Sequence, residues 1–166
     1  MLKINHKKKN IIITGAGGQD GIILSKLLNT KKFKIIGIVK NLKGKKIKNV
    51  TYKNISLSNF KLLNETIRNL KPTAVIHFGS DNPSFYENKK FKKDFYIRNI
   101  RETKNLIDCC AKLKNNRLIL IGSSQMYKNN KKKINLKTRF SKSTPYTKFR
   151  INTFNYMIKQ KKKFNS

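Results

Sequence analysis

Three glycines, at 15, 18 and 21, follow a short apolar run in Ile11-Ile12-Ile13-Thr14-Gly15-Ala16-Gly17-Gly18-Gln19-Asp20-Gly21. Glycines at this spacing suit a loop that cradles the diphosphate of a dinucleotide. Gly15 permits a tight turn, Gly18 lets the backbone approach the phosphates, and Gly21 lets the next helix sit close to the strand. A helix starting there presents free N–H groups and the positive end of its dipole to the anion. The spacing alone is a weak signal, but a strand before it and a helix after it make it a strong one. The end of the next apolar run separates the two nicotinamide cofactors. An acid there bonds the ribose 2′-hydroxyl and repels a 2′-phosphate. This chain has Gly37-Ile38-Val39-Lys40-Asn41-Leu42-Lys43, with no acid and two lysines. Lys40 is the better placed for a 2′-phosphate, so the expected cofactor is NADP rather than NAD.

Strand-length apolar runs alternate with helix-like stretches, and these must position the loop. Residues 11–14, 35–39, 50–55, 74–78 and 117–121 read as strands. Residues 21–28 read as a helix with Ile23, Leu24, Leu27 and Leu28 on one face; residues 60–70 form another, stopped by Pro72. A long helix is predicted over about 94–113 and a last one from Pro145 to about Gln160, after a polar loop at 128–143. Such alternation predicts an α/β fold, a Rossmann-like doubly wound parallel sheet covered by helices on both faces. The expected organisation is one dinucleotide-binding domain over 1–160 and a basic tail at 161–166.

With 166 residues the chain suffices for one domain with a real core. Lys and Arg number 40 against 7 Asp and Glu, a net charge of +33. The lysines are spread along the chain rather than gathered on one element, and Lys, Asn, Ile and Phe, all with A/T-rich codons, are plentiful together. The charge therefore reads as compositional drift. It implies non-specific adhesion to polyanions at low salt and no specific nucleic-acid partner. Cys109 and Cys110 are adjacent in an apolar helical stretch and read as core, with no disulfide framework and no metal-ligand spacing. That pattern fits a reducing, cytoplasmic setting. No run is long enough for a membrane span. His77 ends an apolar strand and reads as packing rather than catalysis.

The loop Thr14-Gly-x-x-Gly18-Gln19-Asp20-Gly21 resembles the extended short-chain dehydrogenase/reductase group, the NAD-dependent epimerases and dehydratases. Within it, the Gln19-Asp20 pair is most similar to GDP-mannose 4,6-dehydratases. Further stretches resemble the group's motifs: Pro72-Thr73-Ala74-Val75-Ile76-His77 its "Pro-x-x-Val-Ile-His" strand, Asn99-Ile100-Arg101-Glu102-Thr103-Lys104-Asn105-Leu106 its "Asn-Val-x-Gly-Thr-x-Asn-Leu", and Ser123-Ser124-Gln125-Met126-Tyr127 its "Thr-Ser-Glu-Leu-Tyr". The resemblance implies oxidation of a nucleotide sugar at C4, loss of water across C5–C6 and reduction at C6. GDP-mannose is the implied substrate, and a homo-oligomer is compatible with it. It also implies roles. Tyr146, from a Tyr-x-x-x-Lys motif, is the base on the 4-hydroxyl, Ser123 orients that hydroxyl, and the residue at 150 supports the tyrosine and the nicotinamide ribose. Asn54 and Ile55 fall where the group contacts adenine. Gly15, Gly18, Gln19, Asp20, Gly21 and Lys40 complete the cofactor set.

Several residues depart from that pattern. Arg150 replaces the lysine; at i,i+4 it shares a helix face with Tyr146 and still supplies a fixed positive charge that favours phenolate, but its planar fork is not interchangeable with an ammonium. Gln125 stands where the group has the glutamate that removes the C5 proton, and an amide is no base at neutral pH. Glu102 replaces a glycine, and Gly79-Ser80-Asp81-Asn82 an "Ala-Ala-Gln-Ser" loop beside the nicotinamide. Members of the group are longer, so the C-terminal substrate portion is expected to be lacking. The alternatives are a non-catalytic NADP-binding module, or another NAD(P)-dependent sugar-nucleotide epimerase or reductase.

Overall fold

Runs of isoleucine and valine form the central strands of the computed structural model, which describes residues 8–28, 32–41, 46–80, 92–113, 117–128, 133–135 and 137–164. Lys43, Asp81, Asn82 and the charged residues Lys7, Lys131 and Lys132 lie outside the described residues. Strands β1 (Lys9–Thr14), β2 (Phe33–Val39), β3 (Val50–Asn54), β4 (Ala74–His77) and β5 (Arg117–Leu120) pair in parallel in the order β3-β2-β1-β4-β5. The chain builds outward from β1 through β2 to β3, then crosses to β4 on the other side of β1. The C-terminal end of β1 is thus a topological switch point, where open parallel sheets bind ligands.

Side chains alternate across the sheet, so the central strands feed two cores. Ile12, Ile36, Ile38 and Val75 face α2 (Phe60–Leu70) and α3 (Lys92–Ala111), meeting Leu63, Ile67, Leu106 and the two cysteines. Ile11, Ile13, Ile35, Val39 and Ile76 face the other way, toward Leu24 and Leu28 of α1 (Gln19–Leu28). The last helix, α4 (Pro145–Phe164), packs on α3, where Tyr156 donates to Asp108 Oδ1 at 2.8 Å. The doubly wound α/β sheet expected from the alternation is the one observed.

Where local signals are strong, boundaries follow them. Asn59 caps α2 by accepting from the Leu62 N–H at 3.1 Å, and Lys71, left-handed at φ 43, closes it just before Pro72. Two expectations are corrected. Ile23 and Leu27 do not join the buried face of α1; they are 50% and 71% exposed, while Gly21 and Ser25 are buried and Leu24 and Leu28 half-buried. The small residues at i and i+4 let the helix backbone dock on the sheet, which turns Ile23 and Leu27 outward. The basic stretch at 161–164 is not a tail: α4 continues to Phe164. Lysines are good helix formers and complement the dipole at a C-terminus.

Glycine 21 is held by backbone, not side chains. A Cβ there would lie 2.7 Å from Ala16 Cα and closer still to the Gly15 carbonyl oxygen, whereas one at Gly17 would meet only Val39 Cγ1 at 3.6 Å. Gly21→Ala is therefore expected to destabilise the fold by about 1–3 kcal/mol. Gly17→Ala is expected to stay within about 0.5 kcal/mol of the parent. Urea denaturation of the two variants beside the parent checks both.

Candidate active site

The glycine loop forms as β1 runs out. Gly15 adopts φ +71, and its N–H donates to the Ile38 carbonyl at 3.0 Å. A Cβ on Gly15 would lie 2.7 Å from the Gly79 nitrogen, so the turn presses against the end of β4. The Gly18 N–H closes the turn on the Gly15 carbonyl at 3.0 Å, and the first bond of the α1 ladder runs from Ile22 N–H to the Gly18 carbonyl at 2.9 Å. The N–H groups of Gln19 and Asp20 precede that ladder, as at any helix start. Around Gly18 a Cβ would meet nothing nearer than 3.4 Å, which leaves its face open.

That open face borders a groove of about 220 Å³ at the switch point. Gly15 and Gly18 line one end; Lys40, at the end of β2, and Ile55 line it further along, and Ser80 and Glu102 also border it. A loop without side chains at 15 and 21, a helix start and an adjoining groove fit the diphosphate and adenosine of a dinucleotide. Gln19 and Asp20 open α1 and are exposed, outside the groove lining. Asn54 is also outside it. Turned so that its nitrogen faces them, its amide donates to the carbonyls of Val39 at 3.2 Å and Lys40 at 2.5 Å. Ile55 is buried beneath.

The second cluster lies at the start of α4. Arg150 Nε donates to the Tyr146 hydroxyl at 3.2 Å, Nη1 to the Ile121 carbonyl at 2.9 Å and Nη2 to Ser80 Oγ at 3.1 Å. The guanidinium thus joins the tyrosine to the ends of β4 and β5, with its carbon 5.2 Å from the Tyr146 ring centroid. Ser123 and Gln125 belong to the turn that packs against α4. Ser123 Oγ accepts from the Gln125 N–H at 3.2 Å and caps a single 3-10 turn, Ser124–Met126. Gln125 is exposed, and among the described residues Ser123 makes no hydrogen bond to Tyr146. Lys148, two residues from Tyr146, faces solvent.

Beneath the groove His77 is buried. Its Nδ1 shares a 2.6 Å hydrogen bond with Thr14 Oγ1, and its Nε2 a 3.1 Å one with Thr103 Oγ1, so one ring ties β1, β4 and α3 together. Burial above all, with the charge of Arg150 adding, lowers its pKa to about 3. This is a packed, neutral histidine. Burial likewise raises both cysteine thiols, Cys109 to about 11, which removes them as nucleophiles. Among the described residues no group of three His, Cys, Asp or Glu side chains gathers to hold a metal. The sequence reading placed Ser80 in a loop beside the nicotinamide but missed Glu102 as a groove residue. Glu102 stood out only as a departure from a motif, and neither spacing nor type said that it faces the groove.

The family profile described as "NAD dependent epimerase/dehydratase family" matches residues 11–164. The chain belongs to this family. Its structural relatives agree in fold. WbmH of Bordetella bronchiseptica, solved with NAD+, superposes with a TM-score of 0.80 at 21% identity, over 93% of this chain and 53% of that one. The UDP-Glc/GlcNAc 4-epimerase of Campylobacter jejuni gives 0.80 at 20% identity, over 92% and 49%. The UDP-glucose 4-epimerase of Brucella ovis, solved with NAD, gives 0.84 at 19% identity, over 95% and 49%. The chain spans about half the length of these relatives. No curated protein sequence matches it. Among the described residues no helix is long and apolar enough to cross a membrane.

His77 makes folding depend on pH in this family member. Its folded pKa lies below the unfolded 6.5, so the unfolded chain takes the proton first. The stability it contributes is complete above pH 6.5 and is lost as pH falls toward about 3. The slope approaches ~1.4 kcal/mol per pH unit. Urea unfolding between pH 4 and 7 is expected to show this component in the parent and to lack it in His77→Asn.

Proposed function

We propose that the chain is an NADP-dependent domain of the GDP-mannose 4,6-dehydratase type, acting on a nucleotide sugar through Tyr146. The carrying observation is the 3.2 Å hydrogen bond from Arg150 Nε to the Tyr146 hydroxyl. The oxygen of Tyr146 accepts this bond, so its own proton is not held by the arginine. Tyr146 is placed to act as the base on a sugar hydroxyl, and the Ser123 hydroxyl, with its own proton still free to donate, can orient that oxygen. The bound nicotinamide supplies the hydride acceptor and donor. Arg150 already directs donors to Tyr146, Ile121 and Ser80, so it positions the tyrosine more than it grips a ribose. Gly15, Gly18 and Gly21 shape the diphosphate cradle, with Gln19 and Asp20 at its rim and Ile55 beneath the adenosine end. Lys40, in a groove with no acid at the end of β2, supports NADP over NAD.

One observation favours a second reading, a sugar-nucleotide epimerase or reductase. Gln125 is an exposed amide where dehydration needs a carboxylate base. Oxidation and reduction at C4 need Tyr146 but no base at 125.

Titration of the purified chain with NADP and NAD is expected to show at least tenfold tighter NADP binding, about 1.4 kcal/mol. Lys40→Glu should abolish that preference; equal affinities in the parent would refute the NADP assignment. With NADP and GDP-mannose present, Gln125→Glu is expected to raise formation of the 4-keto-6-deoxy sugar by roughly a hundredfold. Tyr146→Phe should abolish it. A C4-epimerised or C4-reduced sugar without the 4-keto-6-deoxy product, from the parent and Gln125→Glu alike, would favour the second reading, and no turnover by either would leave a binding module.

A further inference from the structure

We propose that Glu102 is the specificity residue for the base of the cofactor, accepting a hydrogen bond from the 6-amino group of adenine. The inference rests on the dinucleotide reading of the groove. Glu102 is the one carboxylate among the described residues that line it, in a chain with 7 acids in all. It projects from α3 and is half-buried. Its direction is fixed: Oε1 accepts from Ser58 Oγ at 2.8 Å, and that hydroxyl in turn accepts from Arg101 Nη2 at 3.4 Å. Oε1 carries the Ser58 bond, and the carboxylate borders the groove.

Charge divides the groove into two ends. The diphosphate belongs at the start of α1, and the ribose beside the end of β2, where Lys40 stands. The remaining end, walled by Ser56 and Leu57 beyond β3, is where the base must lie, and it holds Glu102. A carboxylate repels phosphate and accepts hydrogen bonds only, so what it selects is a neutral donor. Adenine presents one in its 6-amino group. Hypoxanthine presents an oxygen at the same place, which a carboxylate rejects by both a lost bond and repulsion. Asn54 lies outside the groove lining, its amide nitrogen donating to the Val39 and Lys40 carbonyls.

The test compares NADP with its deaminated analogue, nicotinamide hypoxanthine dinucleotide phosphate, by calorimetric titration of the full chain. The parent is expected to prefer NADP by roughly ten- to a hundredfold. Glu102→Gly should bring the two affinities to within about twofold, and Glu102→Gln should fall between, since an amide can present either an oxygen or an NH₂ to the base. If Glu102 only braces Ser58, both affinities fall together in Glu102→Gly and the ratio persists, which overturns the proposal. A parent that binds both dinucleotides equally overturns it too while leaving the cofactor reading intact. A parent that binds neither overturns both.

Discussion

No side chain fits between the start of α1 and the ends of β1 and β4, and the rest of the site depends on that constraint. The Gly15 backbone presses on Gly79, and Gly21 presses on Gly15 and Ala16. Beneath them a Cβ on Gly37 would lie 2.8 Å from Ala16 Cβ, so β2 too yields its side chain to the loop. Backbone-to-backbone packing of this kind, with the loop's own backbone hydrogen bonds, fixes the direction of α1. It aims the helix start at the switch point of the sheet and leaves the groove open beside it. The amphipathic pattern of α1 yields to it as well, with Ile23 and Leu27 turned to solvent so that Gly21 and Ser25 can meet the sheet.

Two side chains carry that geometry across the molecule. His77, neutral and buried, bridges Thr14 in the strand before the glycine loop and Thr103 in α3. Arg150 bridges the ends of β4 and β5 to Tyr146. The pair is electrostatically consistent. The guanidinium adds to burial in keeping His77 uncharged, so the two side chains carry one positive charge between them instead of two. The arginine that replaces the lysine of the family motif gains contacts a lysine cannot make at once, since its fork reaches Ser80 and Ile121 together.

Much of this was legible in the sequence, for physical reasons that differ by element. The three central strands, β1, β2 and β4, are apolar on both faces, so their length alone announced them. The limits of α2 were legible because Asn59, Lys71 and Pro72 act locally. The phase of α1 was not, because a close backbone approach overrode its apolar periodicity. The end of α4 was not, because lysines read as a solvated tail though they also extend a helix. Tyr146 and Arg150 were paired by helical spacing, and the hydrogen bond follows from it. Which residues line the groove from α3 depends on how that helix sits against the sheet, so Glu102 stood out only as a missing glycine. The sugar nucleotide rests on the pair Gln19-Asp20, which the fold places at the exposed start of α1.

The central claim is that the glycine loop and its groove hold a dinucleotide by its diphosphate. A crystal structure of the chain grown with NADP tests it most directly. The diphosphate is expected at the start of α1, within hydrogen-bond distance of the backbone N–H groups following Gly18, with the 2′-phosphate beside Lys40. Density for the dinucleotide at another surface, or a diphosphate held only by lysine side chains away from that loop, would contradict it.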